Sequence, residues 1–204
     1  MILKKIEARL TTYWRMGYRR AARMALDKAA LGALQPLFGF HRWHAQSPTS
    51  ARPYREGMAA LVNSLEPRCV VDVGCGLGSV LARVEAPQRY GYDVDRGAIR
   101  AARWLRSRSI QFCEGGFEAV RQTDIDVLIA VNWPHDFPPE QIERWIVALL
   151  PRTRFLLLDR VDPTSPLDYP YYHDFAFLAG RAKPVSVDKF GEDYRDFILY
   201  KVSR

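Results

Sequence analysis

Val70-Val71-Asp72-Val73-Gly74-Cys75-Gly76-Leu77-Gly78-Ser79 decides how this chain folds. A β-branched run carries one acidic residue and then opens into glycines on alternate positions. Val70 to Val73 read as a buried parallel strand, and Ser79 to Val84 as the start of a helix. Between them, glycine lets the backbone turn sharply and approach a ligand closely. A turn of this kind, after the first strand of a doubly wound sheet, marks a nucleotide-type site.

Asp72 separates two readings of the loop. Dinucleotide enzymes use G-x-G-x-x-G, whose third glycine lets the helix pack tightly under a pyrophosphate. Here the sixth position is Ser79, and a carboxylate stands two residues before the first glycine. A negative charge suits a cationic amino-acid ligand better than a pyrophosphate. The run D-V-G-C-G-L-G resembles the glycine loop of class I S-adenosylmethionine-dependent methyltransferases. The resemblance implies S-adenosylmethionine as cofactor, held by Asp72, Gly74, Cys75, Gly76 and Gly78, with Asp72 near its methionine end. The plainer alternative is a glycine turn without a ligand.

The next strand, Arg89-Tyr90-Gly91-Tyr92-Asp93-Val94-Asp95, ends in acid. Asp93 lies 19 residues after Gly74, close to the ~20 that sets a carboxylate against ribose hydroxyls. By resemblance Asp93 takes both ribose hydroxyls, with Val94 beside it. Asp95 reads as the cap of a helix over 96–107, because aspartate accepts free backbone amides there. After the third strand, in Glu114-Gly115-Gly116-Phe117-Glu118, Gly116 stands where the family often has an aspartate for the adenine amino group. That departure leaves adenine to backbone groups and to the ring of Phe117, which reads equally well as core.

Length and composition fit one domain with a sizeable core: 204 residues, 48% hydrophobic and 26% charged. No segment approaches the roughly 18 consecutive apolar residues that cross a bilayer, and the N-terminus lacks a signal-peptide pattern. Cys69, Cys75 and Cys113 have no metal-ligand spacing and suggest buried thiols in a reducing compartment. The expected location is cytoplasmic.

The charge of +7 is uneven: residues 1–35 carry +6 and the other 169 residues +1. In that leader Ile2, Ile6, Leu10, Tyr18 and Ala25 share one side of a helical wheel, and Lys4, Arg9, Arg19 and Arg23 the other. Such a helix either packs on the domain with a solvated basic face or docks peripherally on the inner membrane face, or on nucleic acid. Gly32, Pro36 and Gly39 are read as interrupting it. Residues 1–53 form this helical extension and a turn-rich linker, and residues 54–204 the cofactor-binding domain.

From Cys69 onward strands at 69–73, 89–94, 109–114, 125–132 and 154–160 alternate with helices at 78–85, 96–107 and 138–150. A further helix precedes them near 54–65. Alternation of this kind implies right-handed β-α-β units. Residues 184–190 and 195–202 read as a hairpin. With the resemblance, the fold class is α/β: a doubly wound, mostly parallel seven-stranded sheet closed by an antiparallel hairpin.

Residues just past the fourth strand face the crevice of such a sheet. Asn132 is set to bond the cofactor or the acceptor. His135 is the candidate general base, since imidazole titrates near neutral pH, and Asp136 orients it or replaces it. Asn132-Trp133-Pro134-His135 departs from the Asn-Pro-Pro-aromatic motif of amino-group methyltransferases, so that acceptor is not carried over. Arg52, Tyr54, Trp133, Tyr172 and His173 are expected around the acceptor, a polar ring such as a sugar, phenol or heterocycle. Packing and capping are the competing reading for each. The expected activity is methyl transfer to a small-molecule or glycan/lipid-linked acceptor, at oxygen. RNA or protein methylation and a non-catalytic regulatory module are the alternatives. The near-neutral body carries no strong nucleic-acid signal.

Overall fold

The computed structural model describes residues 18–166 and 168–203. Its strands are β1 (Cys69–Val73), β2 (Gln88–Asp93), β3 (Ile110–Glu114), β4 (Ile125–Ala130), β5 (Thr153–Val161), β6 (Ala182–Asp188) and β7 (Arg195–Val202). Its helices are α1 (Tyr18–Phe38), α2 (Arg42–Gln46), α3 (Tyr54–Asn63), α4 (Arg96–Leu105) and α5 (Pro139–Leu149). All seven strands form one sheet in the order β3-β2-β1-β4-β5-β7-β6. β1 to β5 run parallel, and β7 lies antiparallel between β5 and β6. The expected doubly wound sheet with a terminal hairpin is therefore present. Its order reverses between β1 and β4, the switch point where such sheets open a crevice.

Side-chain alternation along β1 divides the core into two layers. Val71 and Val73 pack with Ile142, Ile146 and Leu149 of α5. Val70 packs on the opposite face with Met58 and Val62 of α3 and with Ile99 of α4. β4 is buried at every position, as a central strand covered on both faces should be. Each large apolar side chain buried there contributes about 1.5–3 kcal/mol. Asp95 caps α4, its Oδ1 accepting from the Ala98 amide at 3.0 Å. α1 lies outside α4, with Leu31, Leu34 and Phe38 packed against Ala98 and Ala101.

Three expectations are corrected. The glycine loop does not open into a helix over 78–85; only a 3-10 turn forms, Leu81–Arg83. The chain must reach β2 at Gln88, and Pro87 bars helix just before it. Arginines hold the loop instead. Arg106 Nε donates to the Leu77 carbonyl at 2.8 Å, and Arg83 Nη1 to the Ser79 carbonyl at 2.9 Å. The leader helix is not interrupted at Gly32 or Pro36 but runs to Phe38. Pro36 falls in its last turn, and Gly39, at φ +73°, closes it, its N–H donating a hydrogen bond to the Gln35 carbonyl at 2.7 Å. β4 ends at Ala130, two residues early, because Asn132 adopts φ +65°. The wheel positions Ile2, Ile6, Leu10, Lys4 and Arg9 lie outside the described residues.

Candidate active site

The carboxyl ends of β1, β2 and β4 open into a cavity of about 670 Å³. Asp72, Gly74, Cys75, Gly76, Asp93 and Val94 line one part of it. Asp72 is only 5% exposed, and among the described residues no hydrogen-bond donor reaches its carboxylate. Burial, and then the nearby Asp93 charge, push its pKa up to about 7, opposed by the Arg55 guanidinium. A buried carboxylate left without a donor is costly, and a cation in the cavity would remove that cost.

Asp93 is tied into the loop. Its Oδ2 accepts from the Gly76 amide at 2.7 Å and its Oδ1 from the Asp95 amide at 2.8 Å. Burial raises its pKa, and these two amides pull the other way. Each oxygen keeps a lone pair for a ligand hydroxyl. The Gly74 and Cys75 amides both donate to the Tyr92 carbonyl, at 2.8 and 3.0 Å, so the loop folds back over β2. Gly74 has φ +81°, and a Cβ there would lie 2.4 Å from Trp133 Cβ. Gly78 sits lower in the loop against Phe112 and does not face the cavity.

A short lid covers this end. The His41 amide donates to Asp95 Oδ2 at 2.7 Å and anchors α2. His44 lies 3.5 Å from the same carboxylate, and its ring rests on Gly76. Burial lowers the His44 pKa, against the charges of Asp93 and Asp95.

Tyr54, Asn132, Trp133 and Asp136 line the other part of the cavity. Trp133 also lies against Gly116, whose Cβ would meet its ring at 2.8 Å. Gly116 and Phe117 do not reach the cavity. Phe117, 2% exposed, packs in an aromatic cluster 5.4 Å from Trp133 and 5.7 Å from Trp145. The core reading of Phe117 is the one the geometry favours, and Trp133, beside it, is an aromatic residue that lines the cavity.

His135 is also absent from the wall. It is fully buried behind it, with Nδ1 3.1 Å from the Tyr171 carbonyl and Nε2 3.5 Å from Asp159 Oδ2. A general base must reach the proton it removes, so Asp136 replaces His135 as the candidate. Burial raises the Asp136 pKa, against the pull of His135. His173 is likewise buried, with Nε2 2.9 Å from the Pro134 carbonyl and its ring stacked on Phe175. Tyr172 packs edge-on to Tyr169, and Arg52 lies 5.2 Å above the Trp43 ring. Neither Tyr172 nor Arg52 lines the cavity.

Behind Asn132 lies a buried polar network. The Asn132 amide donates to Asp159 Oδ1 at 3.0 Å, and its Nδ2 to Tyr54 Oη at 2.9 Å. Its Oδ1 accepts from Arg195 Nη1, and Arg195 Nη2 donates to Tyr169 Oη. Arg195 Nε lies 3.4 Å from Asp159 Oδ2. Burial would raise the Asp159 pKa, but His135 and Arg195 outweigh it and hold the carboxyl below its usual range. The three hydrogen bonds fix Asn132 in its unusual backbone conformation with the side chain at the cavity.

Arg55 is the cavity residue the sequence reading missed. It lines the wall near Asp72, and its Nη1 donates to the Ser47 carbonyl at 2.9 Å. A cation in the first turn of a helix opposes the helix dipole, which is the signal that would have singled it out.

No protein-family model and no curated protein matches the chain. Solved structures do match its fold. A magnesium protoporphyrin IX methyltransferase from Synechocystis PCC 6803 with bound SAM is 18% identical at a TM-score of 0.62. That match covers 87% of this chain and 97% of the other. Mitomycin 7-O-methyltransferase MmcR aligns at a TM-score of 0.66 and 15% identity, over 79% of this chain and 57% of the other. A putative O-methyltransferase from Nostoc punctiforme PCC 73102 aligns at 0.64 and 19% identity, over 77% and 58%. With the strand order above, these likenesses show that the chain has the class I S-adenosylmethionine-dependent methyltransferase fold.

Proposed function

We propose that the chain transfers a methyl group from S-adenosylmethionine to a hydroxyl of a small-molecule or glycan/lipid-linked acceptor. The observation that carries this reading is that Asp72 and Arg55 both line the cavity, close enough for their charges to act on each other, with Asp93 at the end of the next strand. A zwitterionic amino acid needs a carboxylate for its ammonium and a cation for its carboxylate. Asp72 and Arg55 supply both, and Asp93 offers two oxygens to a ribose. When bound, the cofactor supplies a methyl group already activated by the sulfonium.

The remaining wall suits an uncharged acceptor. Tyr54, Trp133 and Tyr169 give it aromatic surface, and Asn132 and Asp136 give it polar atoms. Asp136 accepts the hydroxyl proton, and Asn132 orients the acceptor. Alignment of nucleophile and methyl by these walls accounts for much of the acceleration. Aromatic lining of this kind favours a ring, and the solved relatives named O-methyltransferases support oxygen as the atom methylated.

The test is turnover with methyl-labelled S-adenosylmethionine across phenols, sugars and lipid-linked glycans. Label in a hydroxyl acceptor, lost in Asp136→Asn with cofactor binding retained, supports the reading. Label only in RNA or protein, or binding without turnover on any acceptor, overturns it.

A further inference from the structure

We propose that the outer face of α1 and α4 is a docking surface for an anionic lipid bilayer. The two helices pack side by side through Leu31, Leu34 and Phe38 against Ala98 and Ala101. What they turn outward is both apolar and basic. Trp104 is 66% exposed, Leu37 69% and Leu26 68%. Leu26 and Leu37 stand eleven positions apart, three helical turns, and so share one face. Phe38 links this face to α4, its ring centroid 5.8 Å from that of Trp104.

Around these side chains the charge is mainly basic. α4 exposes Arg96, Arg100 and Arg103 and contains no acidic residue, and Arg108 follows it, also exposed. On α1, Arg19 stands seven positions before Leu26 and so shares its face, while Asp27 is engaged by Arg23 and Ser50 on the cavity side. Arg96 meets Glu114 at 3.7 Å, while Arg100 and Arg108 have no carboxylate partner among the described residues.

Exposed aliphatic side chains separate a bilayer from a nucleic acid. A phosphodiester backbone gives Leu26 and Leu37 nothing to bury against, whereas the acyl boundary of a bilayer does. Tryptophan settles at the same boundary, and each arginine near an anionic surface strengthens association. No described helix is long and apolar enough to cross a membrane, so the contact is peripheral. The inner side of α1 lines the cavity through Leu31 and Leu34. A surface bound on its outer side therefore lies about one helix diameter, ~10 Å, from the site. This inference does not depend on the cavity's chemistry.

Co-sedimentation of the full chain with vesicles decides it. Vesicles of phosphatidylcholine with phosphatidylglycerol should retain the protein, pure phosphatidylcholine should not, and added salt should release it. Trp104→Ala and Arg100→Glu should each weaken retention roughly tenfold, with unchanged thermal melting showing that both variants fold. No retention by anionic vesicles overturns the proposal, as does retention of both variants equal to that of the unsubstituted protein. Tight binding of a single-stranded RNA oligonucleotide without vesicle binding assigns the face to nucleic acid instead.

Discussion

Asn132 Nδ2 donates to Tyr54 Oη at 2.9 Å, joining the residue just past β4 to the first residue of α3 across 78 positions of chain. This bond draws α3 over the cavity and, with Asp159 and Arg195, holds Asn132 at φ +65°. Tyr54→Phe removes the acceptor of the half-buried Asn132 amide. The expected cost is about 0.5–1.5 kcal/mol in a urea melt. Asn132→Gly and Asn132→Ala lose the same side-chain bonds, but alanine resists the positive φ. Alanine should therefore be the less stable of the two by about 1 kcal/mol or more.

Under the proposed function, Asp72 should make cofactor affinity depend on pH. Its carboxyl in the free cavity titrates at about 7, and an ammonium ligand binds the ionised form. Below that pH a proton must leave before the ligand is held, so affinity should fall about tenfold per pH unit between pH 7 and pH 5.5. Asp72→Asn should bind weakly at every pH and lose that slope. The same group acts on stability with the opposite sense. Its folded pKa is raised above the ordinary carboxylate value, so the fold loses stability as pH rises from about 4 to about 7. At pH 8 Asp72→Asn should stabilise the ligand-free protein by on the order of 2 kcal/mol, and at pH 4 hardly at all.

Asp159 is the hinge of the buried network. Asp159→Ala leaves Arg195, 3% exposed, without its counter-charge, which should cost about 3–5 kcal/mol in a denaturant titration. His135→Asn acts on the same network, so its effect should appear in melting temperature. Asp136→Asn should behave in the opposite way, leaving the melt unchanged and lowering kcat by about 10²-fold or more.

The sequence made the sheet legible because its signals are local. Apolar runs, capping by Asp95 and the glycine spacing each announce a strand, a helix start or a turn. The helix after Gly78 was misread because periodicity over 79–84 says nothing of how soon the chain must reach β2. His135 looked chemical for its residue type, yet burial against Asp159 comes from β5, and the Arg195 beside them from β7. Long-range packing of that kind leaves no mark on a single stretch of chain. Arg55 does carry a local signal, a cation in the first turn of α3, but only the fold sets it near Asp72.

Isothermal titration calorimetry with S-adenosylhomocysteine at pH 7.5, beside NAD as control, tests the central claim most directly. One-to-one binding of the nucleoside that Asp72→Asn and Asp93→Ala each weaken at least tenfold, with no heat from NAD, is the predicted result. No binding at saturating concentration, or binding indifferent to both carboxylates, would contradict it.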